Sequence, residues 1–475
     1  MGYLKKNRHR QIQINPRLLE AEEIEILDSA YKPKTVLLTR HGITHDVAGL
    51  LQKGLTSTSV GGFFFIPYLL QLGIYDLLGG IGKPKQEGIP NESIALGFIF
   101  ESLFGYTKGI RTVDPVNRKD FALLAGLPFL PSPSTQYRYL QGISCKGALD
   151  LQVALGRKLV ALGQIKPGSP VNIDGHNVTT YSRKEMKQSY ITKEGRYGKA
   201  IRCFYTQDQA SKKPLIAMAA YSGTTVTQST DAAASLTGNI LDGRYMLVAD
   251  KEWYCGRLIQ ELHEQYGINV LVPTKKSNSR MAEINSIPLS DYMKSSYGNI
   301  TAVYTTMKDF NGPLKMFIKK QPDGSVFALI TPEQPEQTVE SEDAFPTYTK
   351  RWRLENFFSE NAFLGINHLP SLNLNAIQAM LSFKLVAYHL VDNFRNDLGA
   401  DYASKTPETI FNEFINGVQG RIELKNDTIV VHVYNFKHER AVASIMNNLN
   451  AKLLKANVDP YIPWLGNRRL DFEFQ

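Results

Sequence analysis

The spacing of apolar residues changes several times along the chain. Residues 1–35 are basic and polar, which predicts an arm that either contacts phosphates or is a solvated tail. Residues 60–160 alternate apolar runs with short polar breaks, a pattern typical of a compact helical domain. Beyond residue 170, β-branched and aromatic runs predict strands at 170–174, 200–206, 214–221 and 245–250.

Helical spacing separates the later strands. TDAAASLTGNIL (230–241) suits a helix, and residues 255–267 carry apolar positions at helical spacing and end on Gly267. INVLVPT then follows as another strand. Three successive strands, then helix, strand, helix and strand, is the order of an RNase H-like sheet. We therefore predict an α/β fold built on an RNase H-like mixed sheet with helices.

A β-rich stretch at 275–347 interrupts this order. Its last two β runs are joined by Gln321-Pro322-Asp323-Gly324, a sequence that favours a hairpin. The predicted organisation is a basic arm with an N-terminal strand or loop (1–59), a helical DNA-binding domain (60–165), an RNase H-like catalytic domain (166–274 with 348–400), the β-rich insertion (275–347) and a small C-terminal α+β segment (401–475).

The helical domain contains a candidate helix-turn-helix at residues 119–143. In this interpretation Ser134 or Thr135 caps the second helix. That helix would expose Gln136, Tyr137, Arg138 and Gln141. The alternative is a pair of core helices joined by a capped turn.

Composition narrows the class of protein. The 475 residues, 43% hydrophobic and 21% charged, indicate a globular protein of several domains, and the net charge of +9 favours a polyanionic partner. The three cysteines, Cys145, Cys203 and Cys255, lie too far apart in sequence to indicate a disulfide framework or a zinc site. The N-terminus lacks an apolar signal region, and the uncharged residues 54–75 contain Pro67 and several glycines, so we expect a cytoplasmic protein without a membrane span.

Two of the predicted strands end in aspartate. Asp174 ends VNID and Asp250 ends MLVAD, at the first and fourth strands of the predicted sheet. A single aspartate at a strand end is commonly only a turn former or a helix cap. Two of them in one sheet point to function, because an unpaired buried charge is costly and two-metal phosphodiester chemistry needs about three converging carboxylates.

Glu355 is the third candidate carboxylate. Tyr348, Arg351 and Glu355 are spaced to share one stripe of an α-helix. The alternative for Arg351 and Glu355 is an exposed ion pair, but the apolar character of the same helix argues against a fully solvated one. The rival carboxylates are Glu342, Asp343 and Glu360, which lie in an acidic linker or off this stripe.

These segments resemble a known family. VNIDG around Asp174, LVADKEW around Asp250 and Y-x2-R-x3-E at 348–355 are similar to the three signature regions of bacterial insertion-sequence DDE transposases. The resemblance covers about 170–400 and implies an RNase H-like catalytic domain with a β insertion. It also implies that Asp174, Asp250 and Glu355 are catalytic ligands of Mg²⁺, for which Mn²⁺ is expected to substitute.

The same resemblance implies the partners. They are double-stranded DNA, both the terminal inverted repeats of an element and the target, handled by a homodimer on paired ends. The family's motif continues to a lysine at the position of Ala362. Tyr348, Lys350, Arg351 and Arg353 are the neighbouring candidates for DNA contacts.

Positive charge is concentrated just after Asp174. Residues 183–213 contain nine Lys/Arg and three Asp/Glu, which is +6 of the chain's +9. Such a run is commonly a solvated face, but beside a site for a polyanion it favours phosphate contacts. The candidate DNA-binding residues here are Arg183, Lys184, Lys187, Lys193, Arg196 and Lys199.

We therefore expect a transposase that cleaves DNA strands at element ends and joins them to target DNA. Two alternatives remain open: an RNase H-like nuclease without strand transfer, and a non-catalytic DNA-binding protein of transposase origin. A more distant one is a histidine phosphatase, because VLLTRHGIT resembles that family's R-H-G-x-T signature, with Arg40, His41 and His176 as its site residues.

Overall fold

The computed structural model describes residues 40–82, 88–106, 119–180, 187–191, 195–221, 223–243, 245–321, 323–333, 340–369 and 372–475. The chain divides into two compact units. The first unit is Met1–Leu151 with Glu360–Gln475, and the second unit is Gln152–Ser359. The basic arm at 1–35 lies outside the described residues.

The N-terminal part of the first unit is largely helical. Its described elements are α1 (Arg40–Lys53), β1 (Leu55–Ser57), a 3₁₀ helix (Val60–Phe65), α2 (Ile66–Gln71), α3 (Ile74–Gly79), α4 (Asn91–Leu103), α5 (Lys119–Leu124), α6 (Pro133–Gly142) and α7 (Cys145–Ala161), which continues into the second unit.

The second unit is built on one mixed sheet. Its described strands are β2 (Val171–Thr179), β3 (Gln188–Ile191), β4 (Arg196–Asp208), β5 (Pro214–Ala220), β6 (Met246–Val248), β7 (Asn269–Pro273), β8 (Met293–Ser295), β9 (Gly298–Thr305), β10 (Leu314–Lys320) and β11 (Val326–Pro332). The helices are α8 (Val226–Leu241), α9 (Gly256–Tyr266), α10 (Asn278–Asn285), α11 (Ser341–Thr349) and α12 (Trp352–Glu360), with 3₁₀ turns at Lys251–Trp253 and Leu289–Asp291.

Five strands of this sheet follow the order β5-β4-β2-β6-β7, and β3 also pairs with β4. β4 is antiparallel to both β5 and β2, whereas β6 and β7 run parallel to β2. α8 leads from β5 to β6, and α9 connects the parallel strands β6 and β7. Gly267, in the left-handed conformation (φ 63°), ends α9 as predicted. This arrangement confirms the RNase H-like fold.

The β-rich insertion continues the same sheet. β11 pairs with β7 through Leu329↔Pro273 and Ile330↔Val272, and β10, β9 and β8 follow outward. The two parts also share one hydrophobic cluster, formed by Val248, Leu271, Ile300, Phe317, Leu329, Ala344 and Phe345. Its burial ties the insertion to the strand that leads to Asp250.

The C-terminal part of the first unit begins at Glu360. Its described elements are a 3₁₀ helix (Ala362–Leu364), α13 (Leu374–Asp397), α14 (Pro407–Phe414), β12 (Gly420–Lys425), β13 (Thr428–Val433), α15 (Glu439–Met446), α16 (Leu449–Lys455), a 3₁₀ helix (Pro463–Leu465) and β14 (Arg469–Phe474). Among the described residues, β1, β12, β13 and β14 form a second sheet. α13 is the one described helix long and apolar enough to cross a membrane, and 89% of its most apolar stretch is buried, as in a core helix.

The candidate helix-turn-helix consists of α5 and α6. The prediction of its cap was wrong by two or three residues, because the Ser132 side chain accepts the Thr135 N–H. Gln136 was predicted to be exposed but is 5% exposed, and its side chain donates to the Pro131 carbonyl. α6 packs against α13 and α4, so these helices lie in the core of the first unit.

Candidate active site

One face of β2 carries the first candidate carboxylate. Because side chains alternate along a strand, Asn172, Asp174 and His176 share a face. The prediction that the strand ends at Asp174 was wrong, since β2 continues to Thr179 through its pairing with β4. Asp174 therefore lies in the middle of β2, where its backbone pairs with Tyr205 of β4, just beyond the short pairing of Val171 and Asn172 with β6.

Arg351 joins two of the predicted site residues. Its guanidinium donates to Asp174 Oδ2 at 2.9 Å and to Glu355 Oε1 at 2.9 Å. Arg351 lies between α11 and α12 and is only 7% exposed. The contact unites residues 177 positions apart in sequence, and it neutralises carboxylates that burial would otherwise destabilise.

Asp250 lies two residues beyond β6, at the start of a 3₁₀ turn. β6 is the parallel neighbour of β2, so the C-terminal ends of both strands point toward the same edge of the sheet. The Tyr348 hydroxyl donates to Asp250 Oδ1 at 3.4 Å. Burial raises the pKa of Tyr348, which keeps this hydroxyl protonated and able to donate.

Electrostatic interactions link the three carboxylates. Burial raises the pKa of Asp174 to about 6; Arg351 and the Gly175 N–H lower this pKa, while Glu355 and Asp250 raise it. The Asp174 carboxylate therefore lacks full compensation by positive charge, and three carboxylates are the oxygen donors that a hard divalent cation prefers. Among the described residues, no three His, Cys, Asp or Glu side chains are grouped so that they could hold a metal ion as they stand.

A polar network that sequence reasoning missed holds the segment bearing Tyr348 and Arg351. Gln209 donates to Asn172 Oδ1 at 2.6 Å and to the Thr347 carbonyl at 2.9 Å. Asn172 donates in turn to the Lys350 carbonyl at 3.2 Å. Gln209 and Asn172 are 3% and 0% exposed. The signal available in the sequence was Asn172 itself, a polar residue inside the apolar run VNI.

The other predicted DNA-binding residues fall into three groups. Arg353 donates to the Gln209 carbonyl at 2.6 Å and so belongs to the polar network, whereas Lys350 has an exposed side chain. Lys187, just before β3, and Arg196 and Lys199, on β4, have exposed or half-exposed side chains. The remaining three, Arg183, Lys184 and Lys193, lie outside the described residues.

Ala362 does not continue the helix of Glu355. α12 ends at Glu360, and Ala362 begins a separate 3₁₀ helix after Asn361. Position 362, where the family's motif has a lysine, therefore does not lie on the helical stripe of Glu355, because the regular helical register does not extend that far.

A cavity of about 410 Å³ adjoins Asp250 and Tyr348. Its lining combines three lysines with apolar side chains: Lys251, Lys275, Lys276, Met281, Ile284 and Phe327. The three lysines of this lining favour an anionic ligand.

The three residues of the phosphatase interpretation lie in different units of the chain. Arg40 and His41 begin α1 in the first unit, and their side chains lie outside the described ones. His176 belongs to the second unit, is 8% exposed and stacks on Phe358 with 4.5 Å between ring centroids.

The fold and the carboxylate-bearing site define an RNase H-like domain of the kind that processes nucleic acids. Residues 166–390 match the family model of the transposase DDE domain, and this part of the chain is accordingly a transposase DDE domain. The chain is also similar to a solved structure of the piggyBac transposase in a synaptic complex with hairpin DNA. That similarity has 12% identity, 69% of this chain and 76% of that chain covered, and a TM-score of 0.39. No curated protein matches the sequence.

Proposed function

We propose that this transposase cleaves DNA strands at the ends of an insertion-sequence element and joins them to target DNA. The observation that supports it most is the set of contacts around Asp174. This carboxylate on the central strand is joined through Arg351 to Glu355, and Asp250 follows the neighbouring parallel strand. Three carboxylates from three separate elements suit phosphodiester chemistry.

Asp174, Asp250 and Glu355 would hold divalent ions in this proposal. Mg²⁺, or Mn²⁺ in its place, would activate the attacking oxygen and stabilise charge on the leaving oxygen when bound. Arg351 pairs with both Asp174 and Glu355, so it would keep these two carboxylates in position. Its guanidinium also has the geometry to bind a DNA phosphate in bidentate fashion.

The surrounding residues orient the carboxylates. Tyr348 holds Asp250 by a hydrogen bond, and Gln209 with Asn172 fixes the backbone on both sides of Tyr348. Lys275 and Lys276, in the lining of the adjoining cavity, would contact DNA phosphates near the site. Two ends must be cut and joined together, so a homodimer on paired ends is part of the proposal.

A donor plasmid tests this function directly. It should carry the gene with both of its genomic flanks, so that any terminal inverted repeats are included. The full chain with Mg²⁺ is expected to release the element at discrete ends and to join it to a second plasmid. Cleavage without joining would favour the nuclease, and binding without cleavage in Mg²⁺ or Mn²⁺ would favour the non-catalytic protein.

Conservative variants assign the carboxylates. Asp174→Asn, Asp250→Asn and Glu355→Gln should each lower cleavage about a thousandfold, because several kcal/mol of metal-dependent stabilisation would be lost. Binding of end DNA should change little. Asp291→Asn, at an exposed aspartate in the insertion, is the matched control and should cleave like the parent. A candidate variant that cleaves at the parental rate would remove that residue from the proposed ligand set.

A further inference from the structure

The hairpin formed by β3 and β4 carries two large aromatic side chains on its surface. Tyr190 is 51% exposed and Tyr197 is 68% exposed. Their ring centroids are 5.4 Å apart with an interplanar angle of 66°. Exposure of two apolar rings to water is energetically unfavourable. This pair of tyrosines is therefore a candidate surface for binding a ligand or partner.

Strand pairing places both rings on one face of the hairpin. Tyr190 is directly opposite Tyr197, and the next pair on the same face is Gln188 with Lys199. The opposite face is packed: Ile191 is 4% exposed, and a Cβ on Gly198 would approach its Cδ1 to 2.7 Å. The exposed tyrosines therefore lie on the uncovered side of a hairpin whose other side is anchored.

The charge of the hairpin identifies the kind of partner. Residues 187–191 and 195–202 contain Lys187, Arg196, Lys199 and Arg202, and no Asp or Glu. Lys199 lies on the same face as the tyrosines, whereas Arg196, opposite Ile191, is exposed at the edge of the other face, and Arg202 forms an ion pair with Glu252. Aromatic rings beside cations bind a ligand that has flat rings and negative charge.

We propose that the hairpin face formed by Gln188, Tyr190, Tyr197 and Lys199 binds single-stranded DNA. Unpaired bases would stack on the two tyrosines while Lys199 and its neighbouring cations contact the phosphates. The partner is single-stranded because bases in a duplex already stack on one another and offer no free ring face. The inference rests on the proposed function, since strand cleavage at a DNA end supplies unpaired nucleotides.

Binding measurements on the full chain test this face without requiring catalysis. The probes are a fluorescent oligothymidylate and a blunt duplex of the same length, in buffer free of divalent metal. Tyr190→Ala and Tyr197→Ala should each weaken oligothymidylate binding about tenfold, as expected for the loss of one stacked base, and affect the duplex much less. Tyr190→Phe and Tyr197→Phe should retain affinity, because the ring remains.

Tyr304→Ala is the matched control, since Tyr304 is 65% exposed on β9 and should leave oligothymidylate binding unchanged. Tyr197→Trp provides an independent readout, because stacking should quench its added fluorescence. Unchanged affinity in both alanine variants, no quenching, or an equal loss for duplex and single strand would overturn the inference. A changed oligomeric state with unchanged DNA affinity would overturn it in favour of a protein partner.

The same data separate this inference from the proposed function. A parent chain that binds neither probe would contradict DNA processing itself. A parent chain that cleaves element ends and binds oligothymidylate, with alanine variants that bind it equally well, would contradict only the role of the hairpin face.

Discussion

Two strand surfaces of the second unit differ in how far other parts of the protein cover their side chains. On β2, Asn172 and Asp174 are covered by the segment that bears Arg351, and their hydrogen bonds are formed within the protein. On the β3–β4 hairpin, Tyr190 and Tyr197 are uncovered. The first surface fixes the positions of charged groups, and the second is available to a ligand. The residues positioned for catalysis and the surface available for binding thus lie on separate parts of one sheet.

This difference predicts opposite responses to mutation. When one partner of a buried polar contact is removed, the other partner has neither water nor a protein group to bond to. The resulting loss in the free energy of unfolding is several times larger than for an exposed contact. Changes on an exposed face leave stability almost unaffected, and alter only what binds there.

Arg351→Ala should have the largest effect on stability. It leaves the buried Asp174 carboxylate without its cation, and we expect a loss of about 3–5 kcal/mol in the free energy of unfolding. Urea unfolding of the parent and the variant measures it. Arg257→Ala is the matched control, because Arg257 pairs with Glu261 from a side chain that is 78% exposed, and its loss should leave the free energy of unfolding almost unchanged.

A second substitution distinguishes charge from packing in this result. Asp174→Asn added to Arg351→Ala removes the uncompensated charge and should recover part of the lost stability. Equal stabilities of the single and the double variant would mean that Arg351 acts by filling space rather than by neutralising Asp174.

The stability of the chain should also depend on the protonation of Asp174. Its pKa is about 6 in the folded protein, above the value of 3.8 for a free side chain, so the folded state holds the proton more tightly. Protonated Asp174 therefore contributes roughly 3 kcal/mol to the free energy of unfolding. This contribution is fully present below about pH 4 and is lost as the pH rises through about 6. Asp174→Asn should abolish that part of the pH dependence, as measured by unfolding in metal-free buffer between pH 4 and 7. Parallel pH profiles for parent and variant would contradict the raised pKa.

The sequence was sufficient to predict the RNase H-like sheet because β-branched runs and helical spacing are local signals. Asp174 and Asp250 stood out for a related reason, as charges that follow apolar strands. The end of β2 was not predictable from Gly175, His176 and Asn177, which are not strong strand formers; they are extended because they pair with β4.

The contacts that hold the site residues in place could not be predicted from local sequence patterns either. Gln209 follows β4 in a turn, and only the fold brings it to Asn172 and the Thr347 carbonyl. Helical spacing placed Arg351 beside Glu355, whereas its contact with Asp174 joins residues 177 positions apart. Such contacts follow from tertiary packing, and periodicity carries no information about them.

Gln209→Ala tests whether this network behaves as a buried unit. It leaves Asn172 Oδ1 and the Thr347 carbonyl without a donor, and should destabilise the chain by about 1–3 kcal/mol. Gln188→Ala, at an exposed glutamine of the hairpin, should stay within about 0.5 kcal/mol in the same urea titration. Similar losses for the two variants would remove the distinction between the buried and the exposed surface.

The smallest effect on stability is expected from Lys187→Glu with Arg196→Glu. Both side chains are exposed, so the free energy of unfolding should change by less than about 1 kcal/mol. Binding to DNA of any sequence should weaken, because phosphate contacts carry no sequence information. The plot of log affinity against log salt should become shallower by about one unit for each phosphate that the variant no longer neutralises. Lys294→Glu with Lys308→Glu changes the net charge equally at exposed positions of the insertion, and controls for long-range attraction. If both pairs reduce the slope alike, the hairpin contributes only to the overall charge of the protein; a reduction confined to Lys187 and Arg196 assigns the phosphate contacts to the hairpin.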